Sequence, residues 1–267
     1  MSMMTTLAQV HAMLPGSSLI NISAEAAKTL AITRVGTDSR QIEPGELFIA
    51  LAGDRFDAHD FLADVANAGA VAAIISNQEK CPANLPGICV ANTRVALGDL
   101  AKAWRLQHSI PLALVTGSNG KTTVKEMIAS IFKAAVGEEH TLVTKGNLNN
   151  DIGLPLTLLK LRATDRLAVI ELGMNHPGET AQLAAIAQAN IVLINNAQRE
   201  HQEFMATVAA VAEEHSDAIR ALPIEGIAVF PAESEFAGLW HKTAAGRKVI
   251  DFALLSGQSK IQAGVTE

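Results

Sequence analysis

The sequence is poor in cysteine, and its two cysteines, Cys81 and Cys89, flank a Pro- and Gly-containing loop without metal-type spacing to any histidine. That pattern predicts free thiols in a cytoplasmic chain, not a disulfide framework or a zinc site. Long apolar runs are also missing: stretches such as 70–75 fall far short of the roughly 20 residues a membrane-spanning helix requires. Positive charge is neither abundant nor clustered. With a formal net charge of -6, a pI near 5.8 and no Lys/Arg-rich stretch, the chain lacks a surface that tracks a polyanion, so nucleic acid is not an expected partner. The opening MSMMTTLAQVHAMLPG carries no Lys or Arg ahead of its apolar residues. It reads as a short amphipathic helix closed by Pro15-Gly16, not as an export signal.

What is present suits a folded, soluble α/β protein. The 267 residues are 49% hydrophobic and only 18% charged, enough apolar material for two buried cores. Between 32 and 90 the apolar runs 47–51, 71–76 and 88–90 alternate with one helical stretch, 59–69, which predicts a small α/β unit. A helix follows over 94–107, with Val95, Leu97, Leu100, Trp104 and Leu106 at its apolar positions, and Pro111 restarts the chain as a strand. The domains are therefore expected at 1–108 and 109–267.

In the second domain, strands at 112–116, 141–145, 167–171 and 191–195 alternate with helices beginning near 121, 151, 179 and 207. Near-continuous apolar strands separated by helices predict a doubly wound, mainly parallel sheet covered on both faces. Two shorter runs, 227–230 and 249–252, come next. The closing SGQSKIQAGVTE shows no strong core pattern and reads as part of an interrupted domain.

The sharpest motif is Gly117-Ser118-Asn119-Gly120-Lys121-Thr122-Thr123, directly between a buried strand and a helix. Its glycines permit backbone conformations in which successive N–H groups face an anion, and the helix N-terminus adds partial positive charge. This predicts a cradle for the phosphates of ATP, with Lys121 on the β- and γ-phosphates and the Thr122 hydroxyl on a Mg²⁺ ion. The spacing is a shortened variant, since Val115 stands where the longer pattern has its first glycine. Glu171, ending the strand at 167–171, supplies the carboxylate such a metal requires.

Several segments together resemble the Mur ligases of peptidoglycan synthesis: Thr37-Asp38-Ser39-Arg40, the stretch from Pro44 to Leu51, Phe56-Asp57-Ala58-His59-Asp60-Phe61, TGSNGKTTVKEM from Thr116, KGNLNNDIGLPLTLL from Lys145 and ELGMNHPGE from Glu171. The resemblance covers about 30 to 230 and is strongest to the branch that joins D-alanyl-D-alanine to UDP-N-acetylmuramoyl-tripeptide. It implies an ATP-dependent amide ligase in which the tripeptide carboxylate is phosphorylated and the acyl phosphate is captured by the incoming amine. On the matching positions it implies that Ser39, Arg40, Asp57 and His59 hold the UDP-sugar, that Asn147 and Asn150 line the cleft, and that His201 joins Thr122 and Glu171 at the metal.

Two departures stand out. The family's A-H-L-E-G reads here Glu200-His201-Gln202-Glu203-Phe204, and an ungapped reading puts His215 where the family has a carbamylated lysine that supports a second Mg²⁺. The family also carries a C-terminal domain that closes over the nucleotide, which is expected to lie outside this chain, so turnover by these residues alone is not expected. A cytoplasmic monomer is the remaining expectation. Alternatives are a sister muramoyl or folylpolyglutamate ligase, or a non-catalytic module that retains nucleotide and UDP-sugar affinity. A P-loop kinase or GTPase ranks lowest, because no guanine-reading N-K-x-D segment is present.

Overall fold

The computed structural model describes residues 4–53, 56–199, 207–254 and 261–266. The chain forms two compact units that part between Trp104 and Arg105, and the short segment Leu158–Arg162 belongs with the first. Two bonds explain that assignment: the Trp104 indole donates to the carbonyl of Leu161 (3.1 Å), and Arg162 donates to the carbonyl of Thr33 (3.1 Å).

Near the start of the first unit lies α1 (Leu7–Ala12), the helix anticipated from the N-terminal pattern. A capping box starts it: the Thr6 hydroxyl accepts from the backbone of Gln9, whose side chain accepts from the backbone of Thr6. The sheet comprises β1 (Ser18–Ile20), β2 (Arg34–Gly36), β3 (Glu46–Ile49), β4 (Ala72–Ile75) and β5 (Gly87–Cys89) in the order β1-β5-β4-β3-β2. Only the β1–β5 pairing is antiparallel. The strands β3 and β4 are buried along their whole length, as the unbroken apolar runs require. Phe48, Ala73 and Ile75 pack with Leu62 and Val65 of α2 (Leu62–Asn67) to make the core. The expected helix over 59–69 starts as a 3₁₀ turn, Ala58–Phe61, and Gly69 ends it at φ +102°. The helix α3 (Thr93–Leu106) begins where the Asn92 carboxamide accepts from the backbone N–H groups of Arg94 (2.9 Å) and Val95 (3.1 Å).

The second unit is built on a seven-stranded sheet. Its strands are β6 (Leu112–Thr116), β7 (Thr141–Val143), β8 (Leu167–Glu171), β9 (Ile191–Ile194), β10 (Ile227–Pro231), β11 (Lys248–Leu254) and β12 (Ile261–Thr266), in the order β7-β8-β6-β9-β10-β11-β12. All pairings are parallel except β11 with β12. The antiparallel edge strand over Ile261–Thr266 has no counterpart among the expected strands. Ile261, Ala263 and Val265 alternate with polar residues or glycine, a period-two pattern that the absence of a continuous apolar run conceals.

The side chains of β6 alternate between the two faces. Ala113 and Val115 pack with Ala129, Ile128 and Phe132 of α4 (Lys121–Val136) on one face. Thr116 instead meets His215 of α5 (Val208–Arg220) on the other. A further helix, α6 (Ala237–Thr243), has no counterpart among the expected helices; its Trp240 is fully buried, lies 5.7 Å from the Phe230 ring and donates to the Ala212 carbonyl (3.2 Å). Entry into β6 is braced by Arg105, which is almost wholly buried and donates to the Ile110 carbonyl (3.0 Å) and the Asn190 carboxamide (3.1 Å). Burial alone lowers its pKa.

Among the described residues no helix is long and apolar enough to cross a membrane. Leu114, at the centre of β6, has no exposed surface. Leu114→Ala is expected to destabilise the second unit by about 2–5 kcal/mol, read as a lowered urea midpoint without a change in slope.

Candidate active site

The chain runs from β6 to the edge strand β7, back to β8, and then crosses to β9 on the other side of β6. The carboxyl end of β6 is thus the point at which the strand order reverses, where open α/β sheets form a ligand crevice. The segment 117–120 leaves β6 at this point and leads straight into α4.

The loop is gripped from β9. Ser118 donates its backbone N–H to the Asn196 carbonyl (3.1 Å), and Asn119 donates its own to the Asn196 carboxamide (2.9 Å). The carboxamides of Asn195 and Asn196 in turn donate to the Asn119 carbonyl. The Ser118 hydroxyl accepts from the backbone of Gln198 (2.8 Å), and the Asn119 side chain donates to that of Gln198 (2.7 Å). Gly117 has φ +130°, and a Cβ there would fall 3.0 Å from the Asn196 backbone; Gly120 has φ +76°, and its Cβ would fall 2.9 Å from the Asn195 amide. Both positions therefore disfavour a side chain by backbone conformation, and at Gly117 the crowding atoms are backbone as well.

This grip leaves the first turn of α4, with its Lys121, Thr122 and Thr123, facing the crevice with backbone N–H groups that have no intrahelical acceptors. The Lys121 ammonium folds back onto the loop, donating to the carbonyls of Gly117 (2.6 Å) and Ser118 (3.1 Å). It is thereby held over the cradle that a phosphate would fill.

Glu171 ends β8 on the other side of β6, only 2% exposed. Its backbone N–H donates to the Thr144 hydroxyl (2.9 Å), and its Oε1 accepts from the Asn149 carboxamide (2.8 Å). Its Oε2 is buried with no hydrogen-bond partner among the described residues. A buried carboxylate oxygen without a donor costs about 1–3 kcal/mol or more, so this atom is suited to a cation.

The other expected site residues behave less uniformly. Asn150 caps the short helix Gly153–Leu158, its carboxamide oxygen accepting from the Gly153 N–H (2.8 Å), and Asn147 is exposed. His201 lies outside the described residues. His215 is fully buried, its Nδ1 3.1 Å from the Thr116 hydroxyl. The neighbouring Glu214 carboxylate accepts from the backbone N–H groups of Gly178 (2.9 and 3.0 Å) and Thr180 (2.9 Å), tying α5 to the N-terminus of the helix Glu179–Ala187.

In the first unit, Thr37, Asp38, Ser39 and Arg40 line a cavity of about 600 Å³ together with Phe56, Phe61 and Asp64. Arg40 is 84% exposed and forks onto Asp38, with both nitrogen–oxygen distances 2.8 Å. These bonds draw the Asp38 carboxyl down to about 2. Phe56 and Phe61 stack with centroids 5.2 Å apart. Asp57 and His59 are engaged elsewhere. The His59 ring, 3% exposed, contacts Asp57 through Nδ1 (2.6 Å) and accepts the Ser76 backbone N–H at Nε2 (2.9 Å). Lys80 bridges Asp57 (2.7 Å) and Asp60 (2.6 Å), and its bond to Asp57 is the main reason that carboxyl sits well below the usual range. With both ring nitrogens committed, His59 braces the turn against the end of β4 and presents no donor to the cavity.

Residues 115–266 match the Mur ligase middle domain, and residues 31–105 match the module described as the Mur ligase family catalytic domain. The chain belongs to the Mur ligase family. It is 42% identical, over 84% of its length, to the UDP-N-acetylmuramoyl-tripeptide–D-alanyl-D-alanine ligase of Escherichia coli, and 40% identical over 83% to that of Haemophilus influenzae. It covers 48% and 49% of those proteins, so the chain spans about half the length of the curated relatives it matches. The crystal structure of MurF from Acinetobacter baumannii superposes with a TM-score of 0.85 at 32% identity, covering 98% of this chain and 59% of that one. The MurF ligase from Thermotoga maritima in complex with ADP superposes with a TM-score of 0.72 at 28% identity, covering 85% of this chain and 51% of that one.

Within this Mur ligase chain, Asn149, Asn195, Asn196 and Gln198 shape the crevice but do not stand out in the sequence. Asn149 is the middle of three similar residues in GNLNND, and only the fold shows which of them reaches Glu171. The polar run after β9 gains meaning only once β9 is known to lie beside β6.

The Asp38–Arg40 pair offers a direct check by pH. A carboxyl whose folded value lies below the unfolded one contributes stability above the unfolded value, near 3.8, and loses it as pH falls towards 2. An NMR titration should place the Asp38 midpoint near 2, returning towards 3.8 in Arg40→Ala or at about 1 M salt, since the pair is exposed and screened.

Proposed function

We propose that the chain binds ATP at the 117–123 loop and belongs to an ATP-dependent amide ligase that joins D-alanyl-D-alanine to UDP-N-acetylmuramoyl-tripeptide. The observation that carries this reading is the loop at the carboxyl end of β6, with Lys121 over the cradle and the unpartnered Glu171 oxygen on the neighbouring strand. The match to relatives named for this reaction supplies the substrates.

A peptide carboxylate is a poor acyl donor because its leaving group would be an oxide. In the proposed chemistry its oxygen attacks the γ-phosphorus of ATP, ADP departs, and an acyl phosphate forms. The D-alanyl-D-alanine amine then attacks the acyl carbon, inorganic phosphate leaves, and the amine nitrogen gives up a proton as the amide forms. The first turn of α4 and the Lys121 ammonium would hold the β- and γ-phosphates and offset the charge that develops on the leaving ADP. The Thr122 hydroxyl and the Glu171 carboxylate are hard oxygen donors that fit a Mg²⁺ ion, and Glu171 Oε2 is buried with no other partner among the described residues. Bound there, the ion would neutralise phosphate charge during transfer. In the first unit, the Arg40 guanidinium at the cavity edge suits the diphosphate of the UDP-sugar, with Ser39 beside it.

Phosphate release by the native protein should require both UDP-N-acetylmuramoyl-tripeptide and D-alanyl-D-alanine; preference for another amino acid as acceptor would point to a sister ligase. Calorimetry on this chain should detect ATP binding that Lys121→Ala weakens about 10- to 100-fold, since hydrogen bonds to charged groups are worth about 1.5–3 kcal/mol. Unchanged affinity would refute the assignment of the loop. Glu171→Gln should reduce the gain in ATP affinity that Mg²⁺ confers while leaving metal-free binding in place.

A further inference from the structure

Lys125 is a lysine with no exposed surface, one turn along α4 from Lys121, and the proposed chemistry gives it no task. Burying an ammonium is costly unless its charge and its donors are matched. Here its Nζ pairs with the Glu126 carboxylate and donates to the Thr144 carbonyl (3.0 Å). Thr144, also without exposed surface, follows β7 and uses its two ends differently. Its carbonyl accepts from Lys125, while its hydroxyl accepts the backbone N–H of Glu171 (2.9 Å). Its own N–H donates to Val169 two residues earlier on β8 (3.2 Å).

The bonds form a continuous tie from the helix that carries Lys121 and Thr122, through Lys125 and Thr144, to the backbone of Glu171. Asn149 completes the hold by donating to Glu171 Oε1. Sheet pairing already fixes the strand β8 up to Glu171, but a carboxylate at a strand end still needs its backbone direction and side-chain torsions set. The Thr144 hydroxyl sets the first and Asn149 the second. What is left of the carboxylate is Oε2, which has no hydrogen-bond partner among the described residues.

We propose that Lys125 and Thr144 are positioning residues that fix the Glu171 carboxylate relative to the Thr122 hydroxyl and so set the metal affinity of the nucleotide site. The inference rests on the proposed ATP and Mg²⁺ reading of that site. A role confined to packing would make the pair matter for stability alone; a positioning role makes it matter for the metal-dependent part of nucleotide binding.

The test is calorimetric titration of ATP into the 267-residue chain, with Mg²⁺ and with EDTA, beside Mn²⁺ binding followed by electron paramagnetic resonance. Thr144→Val removes the hydroxyl acceptor at constant shape, and Thr144→Ser restores it. Lys125→Met removes the ammonium at similar length. Support for outer residues that orient a metal ligand is typically worth about 10- to 100-fold in metal affinity. Thr144→Val and Lys125→Met are expected to lose about tenfold or more of Mn²⁺ affinity and of the Mg²⁺-dependent gain in ATP affinity. ATP binding in EDTA should stay within about twofold, and Thr144→Ser should match the unmodified chain, as the retained hydrogen bond requires. A lowered melting temperature with unchanged metal dependence would overturn the proposal, and so would unfolding of both variants, since either makes the pair a structural brace. If the unmodified chain binds ATP with no Mg²⁺ dependence, the metal reading of Glu171 fails at its root and this inference with it. That outcome is told apart by appearing before any substitution is made.

Discussion

Everything at the crevice beside the 117–120 loop depends on the place of β6 between β8 and β9 in a parallel sheet. A parallel sheet delivers the carboxyl ends of all its strands to one edge, so the turn after β6 is flanked by the ends of both neighbours. On one flank the Asn195-Asn196 pair grips the loop backbone; on the other Glu171 presents a buried oxygen. The loop cannot relax away from this geometry. Its two glycines have positive φ, and a Cβ would come within 2.9–3.0 Å of the Asn196 backbone or the Asn195 amide, so the chain conformation and its surroundings support each other.

The same crowding supplies preorganisation. Donors that must meet an anion are most effective when the cost of orienting them is met during folding. Here that cost is offset by hydrogen bonds within the protein: Asn196 to Ser118 and Asn119, Gln198 to both, Thr144 and Asn149 to Glu171. Each is worth about 1 kcal/mol net, and together they hold a loop and a carboxylate in arrangements that a solvated chain would not keep. The first unit shows the same division of labour. His59 and Asp57 are spent inside a brace with Lys80 and Ser76, which leaves the exposed Arg40 and the stacked Phe56 and Phe61 to face the cavity.

The α/β class, the alternation of strand and helix from Leu112 onward and the glycine-containing strand-to-helix loop at 117–120 were legible because each is a local property. Buried parallel strands are unbroken apolar runs, and the glycines of a phosphate loop sit at fixed offsets from a strand and a helix. Elements with weaker local signatures were not legible. The helix Ala237–Thr243 is held mainly through Trp240, and the strand Ile261–Thr266 through pairing with β11.

By itself, the sequence determined the chemistry on offer: an anion cradle with a lysine, a hydroxyl and a strand-end carboxylate, in segments shared with the Mur ligases. Only the tertiary structure decided how those groups are used. It selected Asn149 from the three asparagines of GNLNND, enlisted the residues after β9 as the clamp on the loop, placed His59 in a brace and tied Lys125 through Thr144 to Glu171. The physical reason is that hydrogen bonds form between atoms about 3 Å apart, and the order of strands in a sheet, which sets those neighbours, is fixed by long-range packing that no local pattern encodes.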